Sequence, residues 1–430
     1  MADLIIRVAT TPDDIAAAGA LTAEAYLADG LLDPGDSYLL ELRDAARRAR
    51  EATVLVALLP ASAPSAEPTS AAPPPAAREL AGTVTLAPAG SPYAEIAEPG
   101  ELEIRMLAVA PAARRQGIAR ALTRAALLEA VARGARRVVL STLEPMAAAH
   151  RLYGRLGFVR VPARDWHVGA VSLRVYAREV PEGPGLRIET ALWRPVEVRD
   201  VDGWRLGLSA GFTRRANSVV ALAEPADVRA SLDEVERVYA TARQPAIFRV
   251  CAQSLPENLD EVLRSRGYRT VSRTQVMVRG DLEQLAELAE LAVLGARAQL
   301  TTTEAAAPDD AWLTAWLAVK SAHPVDPAVA AAVLRGAPAA YVRARSEGRT
   351  VGVIRAAREQ EWVGLSCLCV DAGARRRGLG RALTLEALRV AASRGARRAF
   401  LQVEESNEAA IALYEELGFA PAARYVYRQR

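Results

Sequence analysis

Lysine is nearly absent from this chain, and Lys320 is the only one in 430 residues. Arginine therefore carries almost all the positive charge, as a planar fork of donors suited to phosphate and carboxylate oxygens. An excess of either charge is lacking too. The 54 basic and 51 acidic residues leave a net charge of +3 at pH 7. That field is too small to gather nucleic acid, so no nucleic-acid partner is expected. Cysteine is scarce. Cys251, Cys367 and Cys369 cannot build a disulfide framework, and they have no zinc-ligand spacing with His150, His167 and His323. No metal centre is expected. No apolar run approaches the roughly 18 residues that cross a bilayer. Met1-Ala2-Asp3 leads straight into Leu4-Ile5-Ile6-Arg7-Val8 without a basic leader. These absences predict a cytoplasmic protein with no membrane partner.

What is present is the balance of a folded protein, 51% apolar and 24% charged residues. The length exceeds one ordinary core, so two or three domains are expected. An internal repeat locates them. Residues 107–158 align without a gap on residues 368–419, and roughly half of the positions are identical. The shared runs include Arg133-Gly134-Ala135-Arg136-Arg137 with Arg394-Gly395-Ala396-Arg397-Arg398, and Leu156-Gly157-Phe158 with Leu417-Gly418-Phe419. A repeat this long is a duplicated domain and not a solenoid.

Each copy reads as strand, basic-glycine loop, helix, strand, helix and a Gly-Phe turn. In the first, residues 102–109 alternate as a strand, and Ile118, Leu122, Ala125 and Leu128 form one helix face. In the second, residues 363–370 are the strand and Leu379, Leu383, Ala387 and Val390 the helix face. Helical stretches and a hairpin precede each copy: residues 13–27 and 38–50 in the first, 309–320 in the second. The first hairpin is interrupted by residues 60–77, rich in Pro, Ala and Ser, which read as a mobile loop. Between the copies, residues 182–185 read as a linker. Residues 204–278 then repeat the order strand, helix, strand, helix, Gly-aromatic turn and strand, without a basic-glycine loop. The expected domains are 1–180, a degenerate middle segment 186–285, and 286–430.

The chemistry concentrates where strand meets helix. The first loop is Arg114-Arg115-Gln116-Gly117-Ile118-Ala119-Arg120, and the second Arg375-Arg376-Arg377-Gly378-Leu379-Gly380-Arg381. Open N–H groups at a helix start, with the helix dipole, attract anions, and glycine allows close approach. A lone loop of this kind also reads as a turn with exposed charge; its recurrence in both copies favours a phosphate ligand. The spacing departs from G-x-x-x-x-G-K-[ST] and from G-x-G-x-x-G with an acidic ribose contact, which disfavours ATP hydrolysis and dinucleotide chemistry.

Arg-x-x-Gly-x-Gly/Ala after a strand ending in Leu-x-Val, with Leu-Tyr-x-x-Leu-Gly-Phe downstream, resembles the GNAT superfamily of N-acetyltransferases. The resemblance covers residues 1–180 and about 286–430. It implies an α/β (α+β) class with tandem GNAT acyl-CoA N-acyltransferase folds. Each is a mixed, mostly antiparallel sheet flanked by helices, with a degenerate GNAT-like middle. It also implies acetyl-CoA with its pyrophosphate on each loop and its pantetheine arm along Leu107 and Val109, or Leu368 and Val370. Asn407 matches the family's coenzyme-contacting Asn, where the first copy has Met146. Tyr153 and Tyr414 match the general-acid Tyr, and an aromatic anchored in the core is the alternative for both.

Transfer of an acyl group to an amine requires removal of a proton, a held carbonyl and a protonated leaving thiolate. Glu103 resembles the family's strand glutamate base, or is a solvated edge residue. Its counterpart is Gly364, so the second copy must use Glu404, Glu405 or water. Cys367 and Cys369 share a strand face, for packing or for a role at the site. Residues 203–218, with Arg214-Arg215, resemble an actinobacterial GNAT family that includes N-acetylglutamate-synthase-like proteins. The arginine pair would then meet a substrate carboxylate, or else is an exposed turn. The expected activity is N-acetylation of a small-molecule amine or amino acid by a monomer or homodimer. N-acetylglutamate synthesis is one alternative, and a non-catalytic coenzyme A sensor or scaffold another.

Overall fold

The computed structural model describes residues 4–60, 78–169, 171–282, 299–305, 307–320 and 326–430. The insert at 61–77, His323 and the start of the third expected domain lie outside the described residues. By its contacts the chain divides into two compact units, Met1–Val180 and Pro181–Arg430.

In the first unit β1 (Ile5–Val8), β2 (Thr53–Pro60), β3 (Arg78–Pro88) and β4 (Glu101–Val109) pair antiparallel in sequence order. β5 (Arg137–Leu143) joins β4 in parallel. After β6 (Val159–Arg160) and β7 (Trp166–Val168), β8 (Val171–Glu179) slots between β5 and β6, and also carries β7. A parallel pair needs a crossover, and the helix Ile118–Ala132 supplies it. Its buried stripe of Ile118, Leu122, Ala126, Leu127 and Ala130 packs with Leu102, Ile104, Val138 and Leu140. The expected face residues Ala125 and Leu128 lie at the margin of that stripe, half-buried. The single helix expected at 38–50 is two, Tyr38–Arg43 and Ala45–Glu51. Asp44 parts them because its carboxylate accepts from the N–H of Arg47 at 2.9 Å and starts a new helix.

The second unit is one eleven-stranded sheet. Its strands are β9 (Glu197–Val201), β10 (Trp204–Leu208), β11 (Val219–Ala221), β12 (Ile247–Cys251), β13 (Arg269–Arg279), β14 (Gln299–Ala305), β15 (Ala339–Ser346), β16 (Arg349–Glu359), β17 (Trp362–Val370), β18 (Arg398–Glu404) and β19 (Ala420–Gln429). Their order is β14-β15-β16-β17-β18-β13-β19-β12-β11-β10-β9. It contains two parallel pairs, β17 with β18 and β11 with β12. Each is the counterpart of β4 with β5. The expected linker at 182–185 leads directly into a helix, Gly185–Ala191.

This order amounts to an exchange. In the first unit the strand after the Gly-Phe turn, β6, is separated from β5 by β8. In the second unit the two strands that follow the Gly-aromatic turns are β13, after Gly267-Tyr268, and β19, after Gly418-Phe419. β13 fills the slot between β18 and β19, and β19 fills the slot between β12 and β13. Each copy completes the other's sheet. The described residues of the middle segment, 186–282, therefore share their hydrogen bonding and their core with described residues that follow them.

Candidate active site

In both full copies the parallel pair parts midway. β4 pairs with β5 only from Glu101↔Arg137 to Ile104↔Leu140, and β17 with β18 only from Trp362↔Arg398 to Leu365↔Leu401. Beyond those points Leu107, Val109, Leu368 and Val370 keep their side chains against the helix-side core. Their strand edge towards β5 or β18 carries no ladder. A bulge turns the strand there: Met106 has φ 52° and Cys367 φ 61°, each beside a register shift against the preceding strand.

The loops match as closely. Arg115 (φ 64°) and Gly117 (φ 80°) repeat as Arg376 (φ 60°) and Gly378 (φ 78°). Each glycine is the N-cap of its helix and offers no side-chain acceptor to the first turn. Alternating left-handed residues before an open helix start turn successive N–H groups into one concavity, an anion cradle. Arg115, Gln116, Arg376 and Arg377 are exposed at its rim. Arg114 is tied to Asp29 at 2.8 Å, while its Nη2 is buried without a partner. Arg375 Nε donates to the carbonyl of Val370 at 3.1 Å, and Arg381 reaches Glu416 at 3.5 Å. Ile118 and Leu379 are buried anchors, and Ala119, Arg120 and Gly380 complete the first turn. A diphosphate suits such a cradle of N–H groups with arginines at its edge.

The middle copy lacks the cradle. Its equivalent helix, Val228–Thr241, starts on Asp227, whose Oδ1 accepts from the N–H groups of Arg229 and Ala230 at 2.8 and 3.0 Å. A carboxylate of the chain itself sits where the other copies leave room for an anion.

Tyr153 and Tyr414 are buried and pack edge-on against Phe158 and Phe419, with ring centroids 5.7 and 5.8 Å apart. Burial pushes both phenols well above their usual range, so both stay protonated. Asn407 caps the helix Glu408–Glu416 by accepting from Ala410 N–H at 3.2 Å, which Met146 cannot do for its own helix. Glu103 is not a solvated edge residue. It is fully buried, and its Oε2 accepts from the N–H groups of Glu95, Ile96 and Ala97. Burial pushes its carboxyl up, against the pull of those N–H groups and of Arg105. It pins the β3–β4 loop to the strand.

Sequence reasoning missed Glu103's neighbours. Arg105 pairs with Glu95 at 2.7 Å and donates to the Tyr93 carbonyl and the Tyr38 hydroxyl. Nothing in residue spacing ties the loop at 93–95 to a strand and to a distant helix.

In the second unit, the sheet face opposite the loop helix carries Cys367 and Cys369 together with Trp193, Phe212, Trp316 and Phe400. The middle segment supplies part of that face. Arg214 meets Glu404 at 3.1 Å, and Arg215 lies over the Trp193 ring at 4.9 Å. The structure thus joins one of the expected carboxylate-binding arginines, Arg214, to one expected base, Glu404. Glu405 instead pairs with Arg424 at 3.2 Å. Burial pushes the Cys369 thiol up to about 12, which suits packing. Two surface hollows, one beside Pro338 and Arg394 and one beside Glu197 and Gln244, touch neither loop nor splay.

Residues 188–428, more than half of the chain, match the family model described as "Probable histone acetyltransferase Rv0428c C-terminal", and residues 42–158 match the Acetyltransferase (GNAT) family. The chain belongs to the Rv0428c C-terminal family of GNAT acetyltransferases. That description differs from the N-acetylglutamate-synthase-like resemblance of residues 203–218. Mycothiol acetyltransferase of Beutenbergia cavernae is 57% identical over 56 residues, 13% of this chain and 19% of that protein. The chain thus spans about a fifth of that relative. The uncharacterised N-acetyltransferase YobR of Bacillus subtilis is 25% identical over 249 residues, 56% of this chain and 96% of that protein. A solved tandem GNAT protein from the clavulanic acid biosynthesis pathway is 14% identical with a TM-score of 0.34, covering 100% of this chain and 98% of that one. Among the described residues no helix is long and apolar enough to cross a membrane.

Proposed function

We propose that the chain acetylates a primary amine of a small molecule or amino acid with acetyl-CoA, and that the C-terminal copy is the site of turnover. The observation that carries the transferase reading is the open helix start on Gly378, next to a parallel pair that parts at Leu365↔Leu401; Asn407, which caps the helix bearing Tyr414 where the first copy has Met146, favours the C-terminal copy. The cradle of residues 375–381 would hold the diphosphate, and the free edge of β17 near Leu368 and Val370 the pantetheine amides. Bound there, the thioester supplies an activated acetyl group. Tyr414, kept protonated by burial, is the proton donor to the leaving sulfur. Arg214 and Arg215 receive an acceptor carboxylate, which favours amino acids over polyamines. Glu404, paired with Arg214, takes the amine's proton directly or through a water. The first copy binds coenzyme on residues 114–120 along Leu107 and Val109, with Tyr153 as its buried phenol and Glu103 as its carboxylate.

The test is thiol release from acetyl-CoA by the full chain against amino acids (glutamate included), polyamines, aminoglycosides and peptides. Tyr414→Phe is expected to lower kcat about a hundredfold with unchanged coenzyme affinity. Coenzyme binding without thiol release from any amine would replace this reading with that of a sensor or scaffold.

A further inference from the structure

Where β17 and β18 part, the next residue on each strand is polar. Leu365↔Leu401 is the last pair, and Ser366 and Gln402 follow it. Both lie on the face opposite the loop helix, since their strand neighbours Leu365 and Leu401 pack on the helix side and Phe400 on the other. Ser366 Oγ and Gln402 Oε1 are both buried without a hydrogen-bond partner. Buried polar atoms are ordinarily paired, and two orphans next in line after the last strand pair call for a ligand.

Gln402 is held in one orientation. Its Nε2 donates to Glu189 Oε2, and Glu189 is paired with Arg249 at 2.5 Å, each side chain 4% exposed. An ionised carboxylate only accepts, so the amide nitrogen must face Glu189 and Oε1 must face away. Arg249 in turn lies over the Tyr425 ring at 4.0 Å. A buried pair this firmly packed fixes a bare acceptor at the mouth of the splay.

We propose that Gln402 and Ser366 hold the acceptor amine of the C-terminal copy, with Glu189 and Arg249 as positioning residues. This rests on the transferase reading above. A neutral primary amine has two N–H groups and one lone pair. Gln402 Oε1 accepts one N–H, Ser366 Oγ accepts the other, and the lone pair is left for the acetyl carbon. The nitrogen–carbon bond forms and the carbon–sulfur bond breaks, the nitrogen's proton passes to Glu404, and the leaving thiolate takes the proton of Tyr414. The repeat supplies a contrast. In the first copy the matching positions are Arg105 and Ser141, and Arg105 is committed to Glu95, Tyr93 and Tyr38. A guanidinium has no acceptor to offer an amine. The amine site is therefore particular to the C-terminal copy.

The experiment is thiol release by the full chain, with the twenty amino acids, putrescine and glucosamine as probes and coenzyme A binding followed by calorimetry. With the best probe, Ser366→Ala and Gln402→Leu should each raise the amine KM about tenfold, leaving acetyl-CoA KM and coenzyme A affinity unchanged. Glu189→Gln, which frees the Gln402 amide to turn over, should raise the amine KM as well. Ser366→Ala should keep or raise Tm, because it removes an unpaired polar atom; a purely structural serine would not couple that to a KM change. Wild-type turnover with the amine KM of both variants within about twofold, or a loss of coenzyme affinity in place of the KM rise, overturns this proposal alone. No thiol release by wild type from any probe overturns the transferase reading, and this proposal with it.

Discussion

The middle and C-terminal copies share one sheet but start their crossover helices in opposite ways. The C-terminal helix begins on Gly378 with its first turn open, and the middle helix on Asp227, whose carboxylate occupies that turn. The rest of the middle copy persists: a parallel pair, a crossover helix, and a buried cluster around Trp204, Phe248 and Tyr268. A duplicated fold can thus keep its core while the start of its crossover helix is closed by an acidic cap. Its β13 completes the neighbouring sheet between β18 and β19. The two differ in what the same strand–helix unit offers, an open helix start in one and a capped one in the other.

The most severe way to break that comparison is to cut it. A fragment of residues 286–430 lacks β13, so β18 and β19 lose the strand between them and Met277 leaves the core it shares with Leu401 and Val403. Exposed strand edges of this kind pair with other chains. The fragment is expected to be aggregated or unfolded, and residues 181–430 to unfold in one cooperative step, as read by solubility, circular dichroism and calorimetry. A soluble, cooperatively folded 286–430 fragment would show that the exchange is not needed.

This exchange marks where the sequence stops being legible. The repeat, the two basic-glycine loops and the strand–helix–strand order are local, and residue spacing exposed them. The Gly-aromatic turn at Gly267-Tyr268 was visible too, together with the strand after it. Which strand that one pairs with was not, because β13 and β19 are equivalent in pattern and only packing decides between the slots. The same limit applies at the site. Gly117, Gly378 and the arginines could be read from the chain. The pinning role of Glu103 could not, since it depends on three N–H groups of a loop, and neither could the pairing of Glu189 with Arg249 and Gln402 across distant elements.

Next in size are substitutions in the cradles themselves. Gly378→Glu places a carboxylate beside the bound diphosphate and a side chain at φ 78°, a left-handed backbone that costs a non-glycine residue about 1 kcal/mol. Coenzyme A affinity at that copy should fall about a hundredfold or more, because a like charge meets the phosphates at close range. Gly117→Glu should do the same to the first copy. By calorimetry wild type should bind two equivalents and each variant one, and Gly378→Glu should cause the larger loss of thiol release. If Gly117→Glu causes the larger loss, turnover belongs to the first copy.

The gentlest test reverses the middle copy's cap. Asp227→Ala removes the acceptor for the N–H groups of Arg229 and Ala230, and loss of such a cap costs about 1 kcal/mol. The second unit should therefore lose a few degrees of Tm. Coenzyme stoichiometry should stay at two, because opening the helix start does not rebuild the cradle. The residues before Asp227 are Leu222-Ala223-Glu224-Pro225-Ala226, with neither an arginine nor a glycine. Pro225 has no N–H to give, and Glu224 repeats the charge that Asp227 carried. A third equivalent of coenzyme bound by Asp227→Ala would mean that the carboxylate alone had closed the site. Unchanged stoichiometry with the small stability loss assigns the site's absence to the whole loop, with Asp227 a structural cap that took the vacant position.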